Sequence, residues 1–360
     1  MVLCRWSLAN RLRFRVNDEE LNSGQRLTTN DQIEGIMKIA WIKLAAVAAL
    51  VFCLQTGAAF AASQGKFERS LHVSGAVSLE VETGSGNIEV RTGGSDQVQV
   101  TGWIRANDWL DGNADEKVRR LEANPPILQS GNDIRIGHID DPDLRRNVSI
   151  SFEVMVPANT TLRAHSGSGN ATVDGVQGTV EVGSGSGGLK LNDIGSTVRA
   201  DTGSGNIEIA NVKGNVRAKT GSGSIRANGV AGGFEASTGS GNIVFEQTAS
   251  GAVRAETGSG GIDLRSVHGS LEAKTGSGGI HADGDPTGAW TLHTGSGTVR
   301  LRFPQDASFD LNARTTSGSI SVNHPVTVQG AISKKEVRGK VRSGGVPVEV
   351  ATGSGDIEIE

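Results

Sequence analysis

Thr202-Gly203-Ser204-Gly205-Asn206-Ile207-Glu208-Ile209-Ala210-Asn211-Val212-Lys213-Gly214-Asn215-Val216-Arg217-Ala218-Lys219 is one unit of a repeat. The opening phrase returns as Thr220-Gly221-Ser222-Gly223-Ser224-Ile225 and Thr238-Gly239-Ser240-Gly241-Asn242-Ile243, then at Thr257-Gly258, Thr275-Gly276 and Thr294-Gly295. Counted from Gly185, the motif glycine recurs at steps of 18, 18, 18, 19, 18 and 19 residues. A short fixed period is the signature of units that stack on their neighbours.

Inside the unit, Ile207 and Ile209 alternate with Glu208 and Ala210, and Val216 and Ala218 with Arg217 and Lys219. Two-residue alternation predicts two short strands per unit, joined by the Gly-Ser-Gly corner and a looser corner near Gly214. The aliphatic slots repeat: Ile225, Ile243, Ile262 and Ile280 follow Ile207, while Val216 is followed by Phe234, Val253, Leu271 and Trp290. When rungs stack about 4.8 Å apart, equivalent slots become columns. The expected fold is all-β, a single-stranded parallel β-helix of about 18 residues per rung with an apolar interior. A hexapeptide register fails, since stepping six from Ile207 lands on Lys213 and Lys219. That argues against the left-handed form, and parallel crossovers are right-handed by default.

The corner residues Gly203, Ser204, Gly205, Asn206, Gly221, Gly223, Gly239, Gly241 and Asn242 are read as structural. Glycine there admits positive φ, and any side chain would crowd the adjacent corner. Asn87, Asn170, Asn206 and Asn242 occupy a slot where Asn tolerates left-handed geometry and can bond its own turn. Outward slots alternate in sign from rung to rung, as in Asp201 and Lys219, or Arg254 and Glu272. This reads as a solvated, self-compatible surface.

Outside residues 166–303 the repeat loosens. Residues 62–165 are expected to form irregular rungs, with Leu79–Val90 as one turn and Gln97–Ile104 as its second strand. A helical insertion spans 113–123, with Asp115 and Glu116 early, Arg119 and Arg120 late, and Asn124-Pro125-Pro126 as its stop. It is placed to cap an open sheet edge. Asp140-Asp141-Pro142-Asp143 reads as a turn. Residues 304–360 supply C-terminal rungs and a cap, closing with Val346–Ile359.

Met37 begins a secretory signal: Lys38 and Lys43 are its basic region, Leu44–Leu54 its apolar core, and Ala59-Phe60-Ala61 a small-x-small cleavage site. The apolar run is short of the ~20 residues a membrane span needs. Residues 37–61 are therefore expected to be removed, residues 1–36 to be an upstream extension, and the mature chain to start near Ala62. Cys4 and Cys53 both precede that cut, so the mature chain has no thiol chemistry. Phe52 stands where a lipoprotein signal needs a small residue. Of 35 Lys and Arg, 7 precede residue 62, as do 5 of 39 Asp and Glu, leaving 28 against 34 and a net charge of −6. Nucleic acid is not an expected partner.

From Val148-Ser149-Ile150-Ser151-Phe152-Glu153-Val154-Met155-Val156-Pro157, through Leu162 and Ser166-Gly167-Ser168-Gly169-Asn170, to the Gly-Ser-Gly-Asn/Asp-Ile series and the closing Gly355-Asp356-Ile357, the chain resembles the bacterial "putative adhesin" family of unknown function. The resemblance covers about residues 67–360. It implies an exported β-helical protein and surface binding, and fixes no ligand.

Chemistry is weighed against that background. A calcium nonapeptide repeat needs Asp where this chain has Ile207, Ile225 and Ile243. Polysaccharide cleavage needs paired carboxylates over one cleft, and 18-residue rungs leave little room for cleft loops. Trp103, Trp109 and Trp290, with no Tyr, are a sparse set for sugar stacking. An ice-binding face needs a flat outward Thr array, whereas Thr220 shares parity with inward Val216 and Ala218. The seven histidines, His72, His138, His165, His268, His281, His293 and His324, fall in different slots, with no two in one column. No catalytic, cofactor or metal site is expected. The function expected is that of an exported, non-catalytic, adhesin-like protein or envelope scaffold, monomeric, with no membrane span in the mature chain, whose partner is an envelope protein or glycan. The alternative is a polysaccharide-binding or polysaccharide-cleaving β-helix.

Overall fold

The computed structural model describes residues 63–107, 113–328 and 333–360. The expected signal segment at 37–61, the upstream stretch 1–36 and Trp109 lie outside the described residues. The fold is all-β. Among the described residues the strands fall into two long sheets dominated by parallel pairing, of 14 and 15 strands, and two small helices accompany them.

Each repeat unit contributes one strand to each sheet. Ile207–Val212 pairs in parallel with Ile225–Val230, and Val216–Thr220 with Phe234–Thr238. In register, Ile207 faces Ile225, Ile225 faces Ile243, Ile243 faces Ile262 and Ile262 faces Ile280. Val216 faces Phe234, which faces Val253. Ile207, Ile209, Val216, Ile225, Ile243, Ile262 and Ile280 are all buried. Their common side follows from the pleat, which sends alternate side chains to opposite faces.

The interior is thin because one column is small. Ala200, Ala218, Ala236, Ala255 and Ala273 stack in register along one sheet. They leave room for larger side chains reaching across. Phe234 and Phe245 meet from opposite sheets, with ring centroids 4.0 Å apart and planes 10° from parallel. Phe245 follows Ala227 in its own column, so bulk in one rung offsets its lack in the next. Such compensation keeps an interior at close-packed density.

Both ends depart from the expectation that chain order equals stacking order. Val77–Thr83 and Ile88–Thr92 form an early rung that pairs directly with Thr160–Ser166 and Ala171–Asp174. Everything between is an excursion that returns to the outer side of that rung: Asp133–Ile136 pairs with the first strand and Val148–Val156 with the second. Gln97–Ala106 is not the second strand of the Leu79–Val90 turn. It runs antiparallel between Ser63–His72 and Val148–Val156. The strand Ser63–His72, with no repeat motif of its own, had no signal in the periodicity.

At the other end, Val346–Ser354 inserts between Trp290–Ser296 and Phe309–Ser317, pairing in parallel with both. Ile357–Ile359 likewise lies between Val299–Arg302 and Ile320–Val322. The last rung in sequence is therefore not the terminal rung of the stack. The Trp290, Phe303, Phe309 and His324 rings gather at this end.

The helix Ala114–Ala123 buries Val118 and Leu121. Val118 lies over Gly65 of the edge strand, where a Cβ would approach its Cγ1 to 2.4 Å. Glu122 accepts the Lys66 backbone N–H at 2.9 Å, Arg69 donates to the Glu68 carbonyl and Gln129 to the His72 carbonyl. Three backbone groups of this edge are thus met by side chains, one way to discourage edge-to-edge pairing. Asp140–Asp143 is not a plain turn: Asp141 caps the short helix Pro142–Arg145, accepting from Asp143 N at 2.9 Å.

Candidate functional site

The corners explain most of the recurring phrase, and they are built of polar ladders. Thr202, Thr220, Thr238, Thr257, Thr275 and Thr294 are buried. Each hydroxyl donates to a glycine carbonyl of the preceding rung: Thr202 to Gly187, Thr220 to Gly205, Thr238 to Gly223 and Thr257 to Gly241, at 2.8–2.9 Å. In Thr202, Thr220 and Thr238 the same oxygen accepts the glycine N–H three residues on. The column continues through the interleaved end, where Thr352 donates to Gly297 and Thr315 to Gly355. Thr is chosen because it is β-branched, fits a strand end and carries one donor and one acceptor. Its parity with Val216 and Ala218 was the available signal; its bonding was not readable.

The corner glycines are there for space. A Cβ on Gly203 would lie 2.2 Å from the Gly185 carbonyl oxygen, and one on Gly205 would lie 1.9 Å from that of Gly187. Gly221, Gly223, Gly239 and Gly241 meet the same obstruction from the preceding rung. None of these six takes a left-handed φ, whereas Gly278, Gly297 and Gly355, in the same slot as Gly205 in later rungs, have positive φ. Asn206 and Asn242 are not left-handed either. Their Oδ1 atoms accept from Ser224 N and Gly261 N of the next rung at 2.9 and 2.8 Å, as Asn87 does from Asn170 N. Among non-glycine residues, Asp193, Asn211 and Ser266, on the strands that lead into the looser corner, are left-handed, as are Asn147 and Arg342 outside the regular repeats. Ser204 lies between the two corner glycines and is exposed.

Outward side chains give two flat faces carrying alternating charge. Arg254 bridges Glu256 on its own strand at 2.7 Å and Glu272 one rung on at 3.1 Å. Arg199 pairs with Asp201 at 2.8 Å, Arg265 with Asp263 at 2.9 Å, and Lys274 with Glu272. Neighbours two residues apart on one strand therefore pair as often as neighbours in adjacent rungs. The shifts that follow are those of exposed ion pairs. Hydrogen bonding from Lys274 lowers the Glu272 pKa, and that from Lys66 lowers the pKa of Glu68. The Asp143 backbone N–H lowers that of Asp141, and the Ser319 hydroxyl lowers that of Asp356. These carboxyls are held ionised, opposite to the raised pKa of a general acid.

The surface is interrupted by a shallow trough of about 710 Å³, where Gly183 leaves a gap in one outward column. Glu82, Arg163, His165, Glu181, Asp201 and Lys219 surround it. Arg163 approaches Glu181 to 3.4 Å, so the rim is partly self-neutralised. His165 and His293 do share this column, correcting the expectation that no two histidines would, but several rungs separate them. Among the described residues no group of three or more His, Cys, Asp and Glu is placed to hold a metal ion. Trp290 is fully buried and donates its indole N–H to the Gly269 carbonyl, while Trp103 is 42% exposed.

With strand order and corners in place, comparison with known proteins is decisive on one point. The model of the Toastrack DUF4097 family matches residues 76–360. The chain belongs to the Toastrack DUF4097 family. Among solved structures, a "putative cell adhesion protein" from Clostridium sporogenes is 12% identical, covering 82% of this chain and 99% of its own, with a TM-score of 0.23. A "putative adhesin" from Bacteroides fragilis is also 12% identical, covering 83% and 98%, with a TM-score of 0.27. Superpositions at that level carry no argument about site or ligand. No curated protein matches the chain. Among the described residues of this Toastrack chain, no helix is long and apolar enough to cross a membrane.

Proposed function

We propose that the chain is exported through the Met37–Ala61 signal and acts without catalysis, as a monomeric adhesin-like or scaffold surface of the cell envelope. Its solenoid is a single right-handed coil of about 18 residues per turn. The observation that carries the reading is that the two outward faces of the regular repeats are broken only by shallow troughs among the described residues. Short corners such as Gly203–Asn206 join strand to strand and supply no loops to wall a deeper cleft. The carboxyls of Glu68, Glu272 and Asp356 have lowered pKa values, held by Lys66, Lys274 and the Ser319 hydrogen bonds, and lie at the surface. A long, rigid surface with near-balanced charge suits contact with an extended partner more than turnover of a small substrate. An envelope protein or a glycan fits that description.

Fractionation of cells carrying a tagged copy tests the first half. Recovery from periplasm, outer surface or medium with processing near Ala62 supports the reading, whereas a full-length cytoplasmic product overturns it. Cross-linking in intact envelopes tests the second half, with the expected outcome a discrete adduct that survives competition by bulk protein. Turnover of any member of a polysaccharide panel would replace this reading with the enzymatic one.

A further inference from the structure

Among the described residues, the exposed large hydrophobic side chains are Trp103, Leu128 and Met155. Two of them lie on the same face of the same sheet. Trp103 sits opposite Lys66 on the edge strand and Ser151 on the other side. Met155 lies four residues beyond Ser151, facing Gln99, which at strand rise is about 13 Å away. The pleat fixes this side as outward, because Val100, Ile104, Phe152 and Val154, of opposite parity, are buried.

The surroundings of Trp103 are those of a recognition platform. Ser149, Ser151, Thr101 and Gln99 are short or neutral, so the ring stands above them. Arg105, two residues along the same strand, and Glu153, two residues beyond Ser151, form no ion pair among the described residues, whereas neighbouring Lys66 and Glu68 pair with each other, as do Arg91 and Glu89. Lys66 Nζ lies over one face of the ring, 5.9 Å from its centroid, so a stacked ligand would take the other face. An exposed indole face flanked by a cationic donor and an anionic acceptor that pair with none of the described residues matches a ligand with an apolar C–H face and a rim of hydroxyls. A nucleic acid or acidic polymer would be repelled by Glu68, Glu89 and Glu153. A purely apolar partner would leave Arg105 and Glu153 unpaired.

We infer that this face, centred on Trp103 at the N-terminal end of the solenoid, binds a neutral pyranose of a glycan, with the ring stacked on the indole and hydroxyls bonded to Arg105 and Glu153. This gives the proposed envelope surface a ligand class and rests on that reading for its setting alone. The full chain is titrated calorimetrically with neutral hexasaccharides of glucose, galactose, mannose and N-acetylglucosamine. Saturable binding of at least one is expected, weakened about tenfold or more by Trp103→Ala, as loss of an aromatic platform implies. Trp103→Phe should largely retain binding, and Glu153→Gln and Arg105→Gln should each weaken it. Because Trp103 is exposed, the melting temperatures of these variants should match wild type, separating recognition from folding. Absence of binding to all four sugars, binding unchanged in Trp103→Ala, or Trp103-dependent self-association in sugar-free sedimentation would each overturn the inference. None of those results bears on export or envelope cross-linking, which the earlier experiments read independently.

Discussion

Replacing Thr238 by valine isolates the ladder that joins rung to rung. The side chain keeps its shape and β-branching and loses its hydrogen bonds. Thr238 Oγ1 donates to the Gly223 carbonyl at 2.8 Å and accepts from Gly241 N at 3.2 Å, in a residue only 4% exposed. Valine leaves one carbonyl and one N–H without those partners where water reaches poorly, at about 1–3 kcal/mol each. The added methyl returns about 0.8 kcal/mol through burial. The net expectation is a loss of about 1–5 kcal/mol. Thr291→Val, on the exposed face of a strand, is the matched control and should change stability by less than about 0.5 kcal/mol. Urea unfolding followed by circular dichroism measures both, with the slope checked because a solenoid can unfold in parts. A Thr238→Val midpoint indistinguishable from the Thr291→Val midpoint would refute the claim that the hydroxyl column joins the rungs.

Three further outcomes follow from other features. Ile207→Asp places a carboxylate in a column that is 0% exposed and should cost several kcal/mol; an unchanged melting temperature would contradict the inward assignment. Gly205→Ala puts a Cβ 1.9 Å from the Gly187 oxygen and should destabilise by about 1–3 kcal/mol or more, whereas Gly188→Ala, with nothing nearer than 3.6 Å, should be tolerated; equal thermal denaturation of the two would remove the steric account. Asp356 is held ionised by the Ser319 hydroxyl and backbone N–H, so its folded pKa lies below its ordinary value of 3.8. Its contribution is present above that value and is lost as pH falls through the lower, folded pKa. Protection of the Ile320–Val322 amides, taken relative to the intrinsic exchange rate at each pH, should therefore fall in acid in wild type, and Asp356→Asn should flatten that dependence.

How far the sequence could be read is set by what its periodicity encodes. Alternation around Ile207 and Val216 marks which side chains turn inward, because the pleat leaves no other choice. It also places Thr220 with the buried set. It says nothing about which rung neighbours which, since the same corner phrase occurs at Thr83–Asn87, Thr202–Asn206 and Thr352–Asp356. Any of them can stack on any other, so the insertion of Val346–Ser354 between two earlier rungs and the excursion between Thr92 and Thr160 left no mark on the period. The glycines invited a conformational explanation because glycine alone enters left-handed space cheaply. The crowding against the adjacent corner, expected beside it, is what the contacts of Gly203 and Gly205 with the preceding rung show. Trp103 was weighed only as one of a sparse set of aromatics. Its exposure depends on Gln97–Ala106 joining an antiparallel cap, a pairing invisible to the repeat.

The account rests on equivalent residues of successive units lying opposite one another. Disulfide trapping tests this directly, because the native cysteines, Cys4 and Cys53, both precede residue 62. Lys219 and Ser237 are register partners on an outward column, as are Ser237 and Glu256. Adjacent strands lie about 4.8 Å apart, within the span a disulfide accepts. Lys219→Cys with Ser237→Cys, and Ser237→Cys with Glu256→Cys, should each oxidise to an intramolecular bond in folded protein, while Lys219→Cys with Glu256→Cys, two rungs apart, should not. Efficient bonding of the two-rung pair, or none in either adjacent pair, would contradict the stacked arrangement.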